Sequence, residues 1–388
     1  MTVKTLAAVL GVSPATVSNA YNRPDQLSPQ LRERILATAE ELGYPGPDAA
    51  GRILRMGRAE AVGVLLTERL SYAFSDPFAI EFLTGLSEVV EEHGISIVLM
   101  PVSRRAAGSL PAEADESDVT AVRNANIDAL TILSLPGNHP AAMLARARGM
   151  RLVTTSVSDD PESSWVAIDD FGAGVLVGEH LAGLGHRDIA VLVETNQPAG
   201  SPGQRLGPAE ISFLDYAARV AGLRKAMPGE VLIVSGGHNS IESGTTATTW
   251  LLDHDQLPTA VVGLSDVLAL GALQVLANRG MSIPADVSVC GFDDIPAARA
   301  ADLTTVHQPI RDKGQHVGRL LIDPESRPRQ VLLPISVVTR GTTGPAPRGH
   351  YPASPFGQGA SKASAAARVS SETPASSSAN DVEPSSAS

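Results

Sequence analysis

The chain has 388 residues, enough for two or three domains, and 43% of them are apolar, so a sizeable core is available. A formal net charge of −12 argues against a generic polyanion binder, and the single cysteine excludes a disulfide framework and a cysteine metal site. Because no apolar run reaches transmembrane length and the N-terminus does not resemble a signal peptide, we expect a cytoplasmic protein with no membrane partner, cofactor or metal.

The charge is unevenly distributed along the chain. Residues 1–58 have a balance of +2, which leaves −14 for the rest. This fits a small DNA-binding head on an acidic body that lowers non-specific DNA binding. Ordinary variation in surface charge would give the same asymmetry, so charge alone does not decide between the two interpretations.

A headpiece with a helix-turn-helix is predicted over residues 1–45. Helix-forming residues lead to Gly11, which can adopt the left-handed conformation that ends a helix. Ser13 can cap the next helix, and Pro14 suits its first turn. A third helix is expected between Ser28-Pro29 and Gly43.

The second helix is expected to have an inner and an outer face. Val17 and Ala20 lie on the inner face, with Val9 and Val12 as expected packing partners. The outward-facing residues are Pro14, Ala15, Thr16, Ser18, Asn19 and Asn22. Small residues at a helix start with amides further along suit a DNA major groove.

Residues 46–60 are predicted to be a hinge helix and linker. Asp48 can cap a short helix over Ala49–Arg55. Gly51 in its middle costs about 1 kcal/mol relative to alanine. We therefore expect this helix to form only when a partner supplies contacts.

From residue 61 onwards, apolar strand-like runs alternate with amphipathic helices. The predicted strands are 62–66, 95–99, 129–133, 151–155, 188–193, 230–234, 259–264 and 286–291. The predicted helices are 79–93, 117–126, 139–148, 171–184, 212–227, 241–253 and 266–279. The alternation predicts an α/β core with parallel sheets, divided into two lobes over residues 61–340, with a ligand site where the strand carboxyl ends meet the crevice. We expect a long loop at 196–211 and a disordered Ala/Ser/Pro-rich tail at 341–388.

Several motifs occur in an order typical of one family. Those of the headpiece and hinge are LAAVLGVSPATVS at 6–18, EELGY at 40–44, Pro47, Leu54 and Arg55. Those of the core are VGV at 62–64, AIDD at 167–170, LGHRDIA at 184–190, SDVLALG at 265–271, PADVSVCGFDD at 284–294 and LTTVHQP at 303–309. Over residues 2–340 the chain resembles the lactose/galactose-repressor (LacI/GalR) family.

The resemblance implies a homodimeric transcription factor with an α-helical headpiece and a two-lobed core similar to periplasmic sugar-binding proteins. A small molecule, expected from the resemblance to be a sugar or related metabolite, would bind between the lobes and shift the two heads. Two-fold symmetry would match a palindromic operator in double-stranded DNA. Most relatives repress, so repression is expected here.

The resemblance also assigns roles on the second helix. Pro14, Ala15 and Asn19 match base-reading positions, and Asn19 can pair bidentately with adenine. The competing interpretation is that Pro14 and Ala15 only shape the start of the helix. The expected phosphate ligands are Thr16, Ser18 and Asn22. At Ser18 an intrahelical hydrogen bond would compete.

In the core, the resemblance points to Asp293, Arg219 and Phe78 as ligand contacts. Asp293 would lie at a strand end, Arg219 would be a helix-start arginine that grips the effector, and Phe78 would form an apolar wall. Weaker candidates are Asp76, Phe74 and Asp266. For Asp266 an N-cap of helix 266–279 is the favoured alternative.

Other features of the core are expected to be structural or to differ from the family pattern. Asp169 is expected to cap helix 171–184, and His186 to be structural. The 68–76 loop, with Tyr72, and the 196–211 loop depart from the family pattern, so the identity of the effector stays open.

Two other classes of protein fit the sequence less well. An enzyme is disfavoured because Gly263-Leu-Ser-Asp-Val lacks the second glycine of a nucleophile elbow, and the glycines at 172–178 lack dinucleotide-binding spacing. A solute-binding protein that serves a transporter is opposed by the DNA-binding head and the missing signal peptide.

Leu54 matches the leucine that opens a central base step in the minor groove, and Arg55 would enter the narrowed groove beside it. Ordinary hinge packing is the alternative for Leu54. We predict that Leu54→Ala weakens operator binding but leaves the effector affinity of the core unchanged, as measured by gel shift and calorimetry. An equal loss of both would indicate a folding defect instead.

Overall fold

The computed structural model describes residues 1–46, 57–66, 70–101, 116–134, 138–254 and 258–347. The predicted hinge helix, with Asp48, Leu54 and Arg55, lies outside these residues, as does the tail beyond residue 347.

Three helices form the headpiece, as predicted: α1 (Val3–Leu10), α2 (Pro14–Asn22) and α3 (Pro29–Glu41). A 3-10 turn lies at Pro24–Gln26. Gly11 ends α1 with a φ of 65°, and the Ser13 hydroxyl accepts a hydrogen bond from the Thr16 backbone N–H. The local signals for helix ends therefore act as expected.

The headpiece core confirms one part of the predicted packing and corrects another. Val17 and Ala20 are fully buried. Val12 packs against the cluster, but Val9 is 60% exposed. The expected contact with Val9 is wrong because α1 turns its other apolar face inward. The remaining buried members of this core are Leu6, Ala7, Leu10, Ile35, Ala39 and Tyr44.

The N-terminal lobe is built on a six-stranded parallel sheet with the order β12-β5-β4-β3-β1-β2. Its strands are β1 (Ala61–Leu66), β2 (Ser96–Pro101), β3 (Ala129–Ile132), β4 (Arg151–Thr154), β5 (Ser164–Ala167) and β12 (Gln330–Leu332). Its helices are α4 (Leu70–Ala73), α5 (Pro77–Glu91), α6 (Glu116–Asn124), α7 (Pro140–Ala147) and α13 (Ile310–Ile322).

The C-terminal lobe has a seven-stranded sheet with the order β13-β11-β10-β9-β6-β8-β7. Its strands are β6 (Ile189–Val193), β7 (Gln204–Leu206), β8 (Val231–Ser235), β9 (Ala260–Gly263), β10 (Ser288–Asp293), β11 (Thr304–His307) and β13 (Ser336–Val338). Its helices are α8 (Asp170–Gly183), α9 (Leu214–Ala226), α10 (Ile241–His254), α11 (Asp266–Asn278) and α12 (Pro296–Ala300). The inner strands are parallel, and the two edge strands β7 and β13 are antiparallel.

The chain passes between the lobes three times, after β5, β11 and β12. The predicted elements between residues 62 and 291 are confirmed, with ends displaced by at most two residues. The loop predicted at 196–211 contains β7 and a 3-10 turn at Pro208–Glu210, so it is partly ordered as a sheet edge. Strands β5, β12 and β13 are too short or too polar to give a clear apolar run.

The C-terminal segment from residue 341 is hydrogen-bonded to the C-terminal lobe. Thr342 Oγ1 accepts from the Thr304 N–H, and the Gly344 N–H donates to Ser288 Oγ. The Ala346 N–H donates to the Leu184 carbonyl. The ordered core therefore continues beyond residue 340.

Three pairs of helices pack tightly where a glycine of one helix faces a glycine of the other. The pairs are α5 with α13, α8 with α9 and α10 with α11. The facing glycines are Gly85 and Gly314, Gly174 and Gly222, and Gly244 and Gly271. A Cβ at any of them would collide with backbone of the opposite helix, at Arg219 O for Gly174 and at Phe171 O for Gly222. The absence of a side chain lets the helix backbones touch.

We predict that Gly222→Ala lowers the free energy of unfolding by about 1–3 kcal/mol, because the colliding atoms are backbone and cannot rotate away. Gly183→Ala, near the end of α8, is the matched control, since nothing lies within 4 Å of a Cβ there. The control should be neutral or more stable by roughly 0.4–1 kcal/mol. Urea unfolding measures both, and equal effects would contradict the close-approach argument.

Candidate DNA interface and ligand cavity

Helix α2 presents polar and small side chains on its outer face. Pro14, Ala15 and Asn22 are exposed, while Thr16, Ser18 and Asn19 are half-buried. Asn22 Nδ2 donates to the Ser18 carbonyl at 3.0 Å and to Ser18 Oγ at 3.2 Å. The intrahelical bond considered for Ser18 is therefore present in the DNA-free structure.

Asn19 has a partner that the sequence analysis missed. Its Nδ2 donates to Gln26 Oε1 at 3.2 Å, so the 3-10 turn after α2 supports the amide. Asn19 keeps its carbonyl oxygen and one further N–H for other contacts. The only available signal was the spacing of seven residues across a turn, which does not specify contact.

A cavity of about 80 Å³ lies between the two lobes, at the carboxyl ends of β3, β6 and β10. This is the position expected for a ligand site in a parallel α/β fold. The lining residues are Tyr72, Asp76, Phe78, Leu133, Ser134, Glu194, Phe213, Asp215, Tyr216, Arg219, Asn239 and Asp293. The predicted residues Asp76, Phe78, Arg219 and Asp293 are thus brought together.

Arg219 is the central cation of the cavity. It is only 5% exposed, with Nε donating to Asp170 Oδ1 at 2.9 Å and Nη1 to the Leu264 carbonyl at 2.7 Å. Burial disfavours its charged form, but the carboxylates of Asp170, Asp293 and Asp215 hold the pKa of Arg219 above its ordinary value. It stays protonated and is fixed by partners outside the cavity.

The guanidinium of Arg219 also lies close to two aromatic rings. Its Cζ lies 5.4 Å from the ring centroid of Tyr216 and 4.9 Å from that of Phe292. These distances fit cation–π contacts. Arg219 is the sixth residue of α9, so the predicted position at a helix start is wrong.

Asp293 is the last residue of β10, as predicted, and is 6% exposed with a φ of 116°. Its Oδ1 accepts from Gln308 Nε2 at 2.6 Å, and Gln308 lies in a crossover between the lobes. Lys313 Nζ donates to Gln308 Oε1 at 3.3 Å. Burial raises the pKa of Asp293 to about 7, although Arg219 and Lys313 oppose this rise.

The N-terminal lobe supplies the opposite wall. Asp76 caps α5 by accepting from the Ala79 N–H at 3.3 Å, and the Phe78 ring lies 5.6 Å from Lys313 Nζ. Tyr72, on the short helix α4 where a loop was predicted, approaches His238 of the other lobe edge-on with ring centroids 5.4 Å apart. Aromatic side chains therefore connect the lobes at this side of the cavity.

Two predicted ligand contacts do not line the cavity. Phe74 is 64% exposed. Asp266 is fully buried, where its carboxylate accepts from Thr305 Oγ1 at 2.6 Å and from the Ile295 N–H at 2.9 Å. It is not the N-cap either, because Ser265 accepts from the Leu268 N–H. Its role is to tie α11 to the neighbouring strand and loop.

Two structural predictions for the C-terminal lobe are confirmed. Asp169 caps α8 by accepting from the Gly172 N–H at 2.8 Å. His186 is fully buried and bonded to Thr259 Oγ1 and the Gly344 carbonyl.

Glu194, Ser134 and Asp215 are cavity residues that the sequence analysis missed. Glu194 and Ser134 follow directly after predicted strands, a signal that could have found them. Burial and the nearby Asp170 carboxylate raise the pKa of Asp215, and Arg219 opposes this. In the described residues no cluster of three metal-ligating side chains occurs, and no helix is long and apolar enough to cross a membrane.

A carboxyl group whose pKa is higher in the folded than in the unfolded state adds to the free energy of unfolding while it is protonated. For Asp293 this contribution is lost as pH rises from the ordinary pKa of 3.8 through about 7. We therefore predict that Asp293→Asn becomes more stable relative to the unmodified protein as pH rises across this window. Urea unfolding at about pH 5 and about pH 8 measures the difference. Asp253→Asn, at an exposed ion pair, is the control, and a gap independent of pH would refute the assignment.

The chain matches two family models. The model described as "Bacterial regulatory proteins, lacI family" covers residues 2–46, and "Periplasmic binding protein-like domain" covers residues 178–343. An HTH-type transcriptional regulator of Mycolicibacterium smegmatis is 37% identical over 360 residues, which span 89% of this chain and 96% of that protein.

Solved structures agree with this match over most of the chain. The lac repressor dimer bound to operator and the anti-inducer ONPF has a TM-score of 0.70 at 27% identity, over 89% of this chain and 99% of that chain. The CelR–cellobiose complex has a TM-score of 0.60 at 26% identity, over 88% and 99%. The relatives are DNA-binding regulators and not enzymes. On the length and identity of these matches, the chain belongs to the LacI family of bacterial transcriptional regulators.

Proposed function

We propose that the protein is a homodimeric repressor whose affinity for a palindromic operator is switched by a small polyhydroxylated molecule bound between the core lobes. The observation that carries the proposal is the interlobe cavity, lined by carboxylates, one arginine and aromatic rings, in a chain that also carries an exposed recognition helix. Relatives supply precedent, since the lac repressor structure contains operator and the CelR structure contains cellobiose.

The headpiece supports base reading by Pro14, Ala15 and Asn19, all on the outer side of α2. Asn19 would donate and accept at an adenine edge while Gln26 limits its rotation. Thr16 and Asn22 would contact phosphates, after Asn22 exchanges its bonds to Ser18 for a phosphate oxygen. Leu54 and Arg55 complete the proposed interface at the operator centre.

The cavity favours a neutral ligand with several hydroxyl groups. Its carboxylates come from Asp76, Glu194, Asp215 and Asp293, whereas its cation, Arg219, is already paired with Asp170. Carboxyl groups accept hydrogen bonds from hydroxyls, and an anionic ligand would add further negative charge beside four acidic side chains. The Phe78, Phe213 and Tyr216 rings provide apolar faces for a sugar ring.

Ligand binding would change operator affinity by altering the relative position of the lobes. The cavity takes side chains from both lobes, so a ligand that contacts both has different affinities for open and closed arrangements. Such differential binding is the requirement for coupling between two sites. Induction and corepression differ only in which arrangement holds the heads at the operator spacing.

The DNA-binding half is tested by selecting binding sites from random duplexes with the full chain. We expect a palindromic consensus, and Asn19→Ala should weaken binding to it by about 1–3 kcal/mol and relax one position in each half-site. Asn278→Ala, an exposed amide at the end of α11, is the matched control. Absence of any enriched sequence would overturn the proposed function.

The ligand half is tested by thermal shift of the full chain against neutral monosaccharides, disaccharides and cyclitols, and against their phosphorylated and acidic forms. A neutral compound should raise the melting temperature and change operator affinity. Arg219→Met should abolish the shift, whereas Arg205→Met, at an exposed ion pair of the same lobe, should retain it. A response to the anionic forms alone would contradict the proposed ligand class.

A further inference from the structure

The backbone that enters the N-terminal lobe from the headpiece linker is held by one carboxylate. Asp128 Oδ1 accepts from the Ala59 N–H, and Asp128 Oδ2 from the Glu60 N–H, both at 2.8 Å. The Asp128 N–H in turn donates to the Ala61 carbonyl at 2.8 Å. Three hydrogen bonds therefore join residue 128 to three consecutive residues where the chain enters β1.

Glu60, the middle residue of this segment, has an unfavourable backbone conformation. Its φ of 53° lies in the left-handed region, which a residue with a side chain occupies at a cost of order 1 kcal/mol. Its carbonyl accepts from the Ser96 N–H at 2.9 Å, so β2 holds it from the other side. A strained residue bonded on both sides keeps one conformation, because the surroundings compensate for the cost.

Asp128 stands at one end of a strand whose other end reaches the ligand cavity. Strand β3 begins at Ala129, lies between β1 and β4, and is followed by Leu133 and Ser134, which line the cavity. Ser134 is also held in place, since its N–H donates to Thr155 Oγ1 at 3.0 Å. Strand β3 itself covers Ala129–Ile132, and bends on either side of it lead to Asp128 and to Ser134. One short segment of about 20 Å at most therefore links the cavity floor, formed here by Leu133 and Ser134, to the linker exit at residues 59 and 60.

The covalent bond between the linker and β1 makes the end of the linker follow the position of the lobe. It does not fix the direction of the linker relative to the lobe, because the chain can rotate about φ and ψ at residues 59 and 60. Two hydrogen bonds to one planar carboxylate fix the direction of both N–H groups relative to β3. Without them, the linker could keep its direction while the lobe tilts beneath it.

We propose that Asp128 is the positioning residue that makes the linker exit move with β3, so that displacement of the cavity floor reorients the headpiece. The proposal rests on the function proposed above, because it assigns the route by which ligand and operator binding are coupled. It assigns no ligand contact and no DNA contact to Asp128.

The test compares Asp128→Asn and Asp128→Ala in the full chain. Asparagine keeps one acceptor oxygen and places an N–H donor where the second was, and alanine removes both acceptors. Asp286→Asn is the matched control, because Asp286 Oδ2 accepts from the Ser282 N–H at 2.7 Å in the C-terminal lobe, remote from the linker. Hydrogen exchange, operator affinity and thermal unfolding are measured on each variant, with DNA selected by the unmodified protein.

We expect amide exchange in peptides that contain residues 59 and 60 to accelerate by about tenfold in Asp128→Asn and further in Asp128→Ala. Operator Kd should rise in the same order, by about tenfold for the first variant, with an unchanged active fraction in stoichiometric titration. The response of operator affinity to any compound that shifts the melting temperature should shrink, while the thermal shift itself persists. The Asp286→Asn protein should match the unmodified protein in exchange at 59–60, in Kd and in ligand response.

Three results would overturn the inference. Faster exchange with an unchanged operator Kd would show that the clamp does not position the head. A lower active fraction at constant Kd would show a folding role only. Equal effects of Asp128→Asn and Asp286→Asn would remove the special role of the linker exit. Failure of the unmodified protein to select any DNA would instead refute the function on which the inference rests.

Discussion

The cavity wall that the C-terminal lobe provides depends on one buried charge, that of Arg219. A guanidinium removed from water costs several kcal/mol unless partners compensate, and Arg219 finds them in Asp170 and the Leu264 carbonyl. Asp170 begins α8 and Arg219 lies within α9, so the ion pair forms only if the two helices approach closely. The crossing at Gly174 and Gly222 provides this approach. The electrostatics of the cavity thus rest on two residues that have no side chain.

The N-terminal lobe repeats this arrangement. Gly85 and Gly314 bring α5 and α13 together, and Lys313, next to Gly314, is held almost fully buried against the Phe78 ring and Gln308. Each lobe therefore uses a glycine crossing to hold a cation beside the cavity. Both cations act on Asp293, where they oppose the rise in pKa that burial causes. The charge on Asp293 is set jointly by both lobes.

Much of this arrangement could be predicted because it is local. Helix caps at Ser13 and Asp169, and the strand end at Asp293, follow from residue type and periodicity over a few positions. The predicted packing of Val9 was wrong because α1 has two apolar stripes, and only its packing with α3 selects between them. In a single sequence, Gly222 simply weakens a helix, and no local rule reveals its contact with α8.

Contacts between distant segments could not be predicted either, because local residue patterns do not reveal them. Tyr72 and His238 meet across the lobes although 166 residues separate them, and Asp128 bonds a segment almost 70 residues earlier. For Asp266 the error was to expect a local or ligand partner where the partners come from distant segments. A carboxylate at a helix start suggests an N-cap or a ligand contact, but its two partners come from β11 and the loop after β10.

The bonds of Gly344 determine where the chain leaves the core. Ser288 and His186, which hold it, lie at the amino ends of the C-terminal-lobe strands, whereas the cavity lies at their carboxyl ends. The linker enters at the amino ends of the N-terminal-lobe strands, beyond the cavity on the other side. The linker entrance at residues 59 and 60 and the segment around Gly344 therefore lie at opposite ends of the core. A fluorophore, affinity tag or surface tether joined directly after residue 347 would therefore start from the end of the core that is remote from both the linker entrance and the cavity.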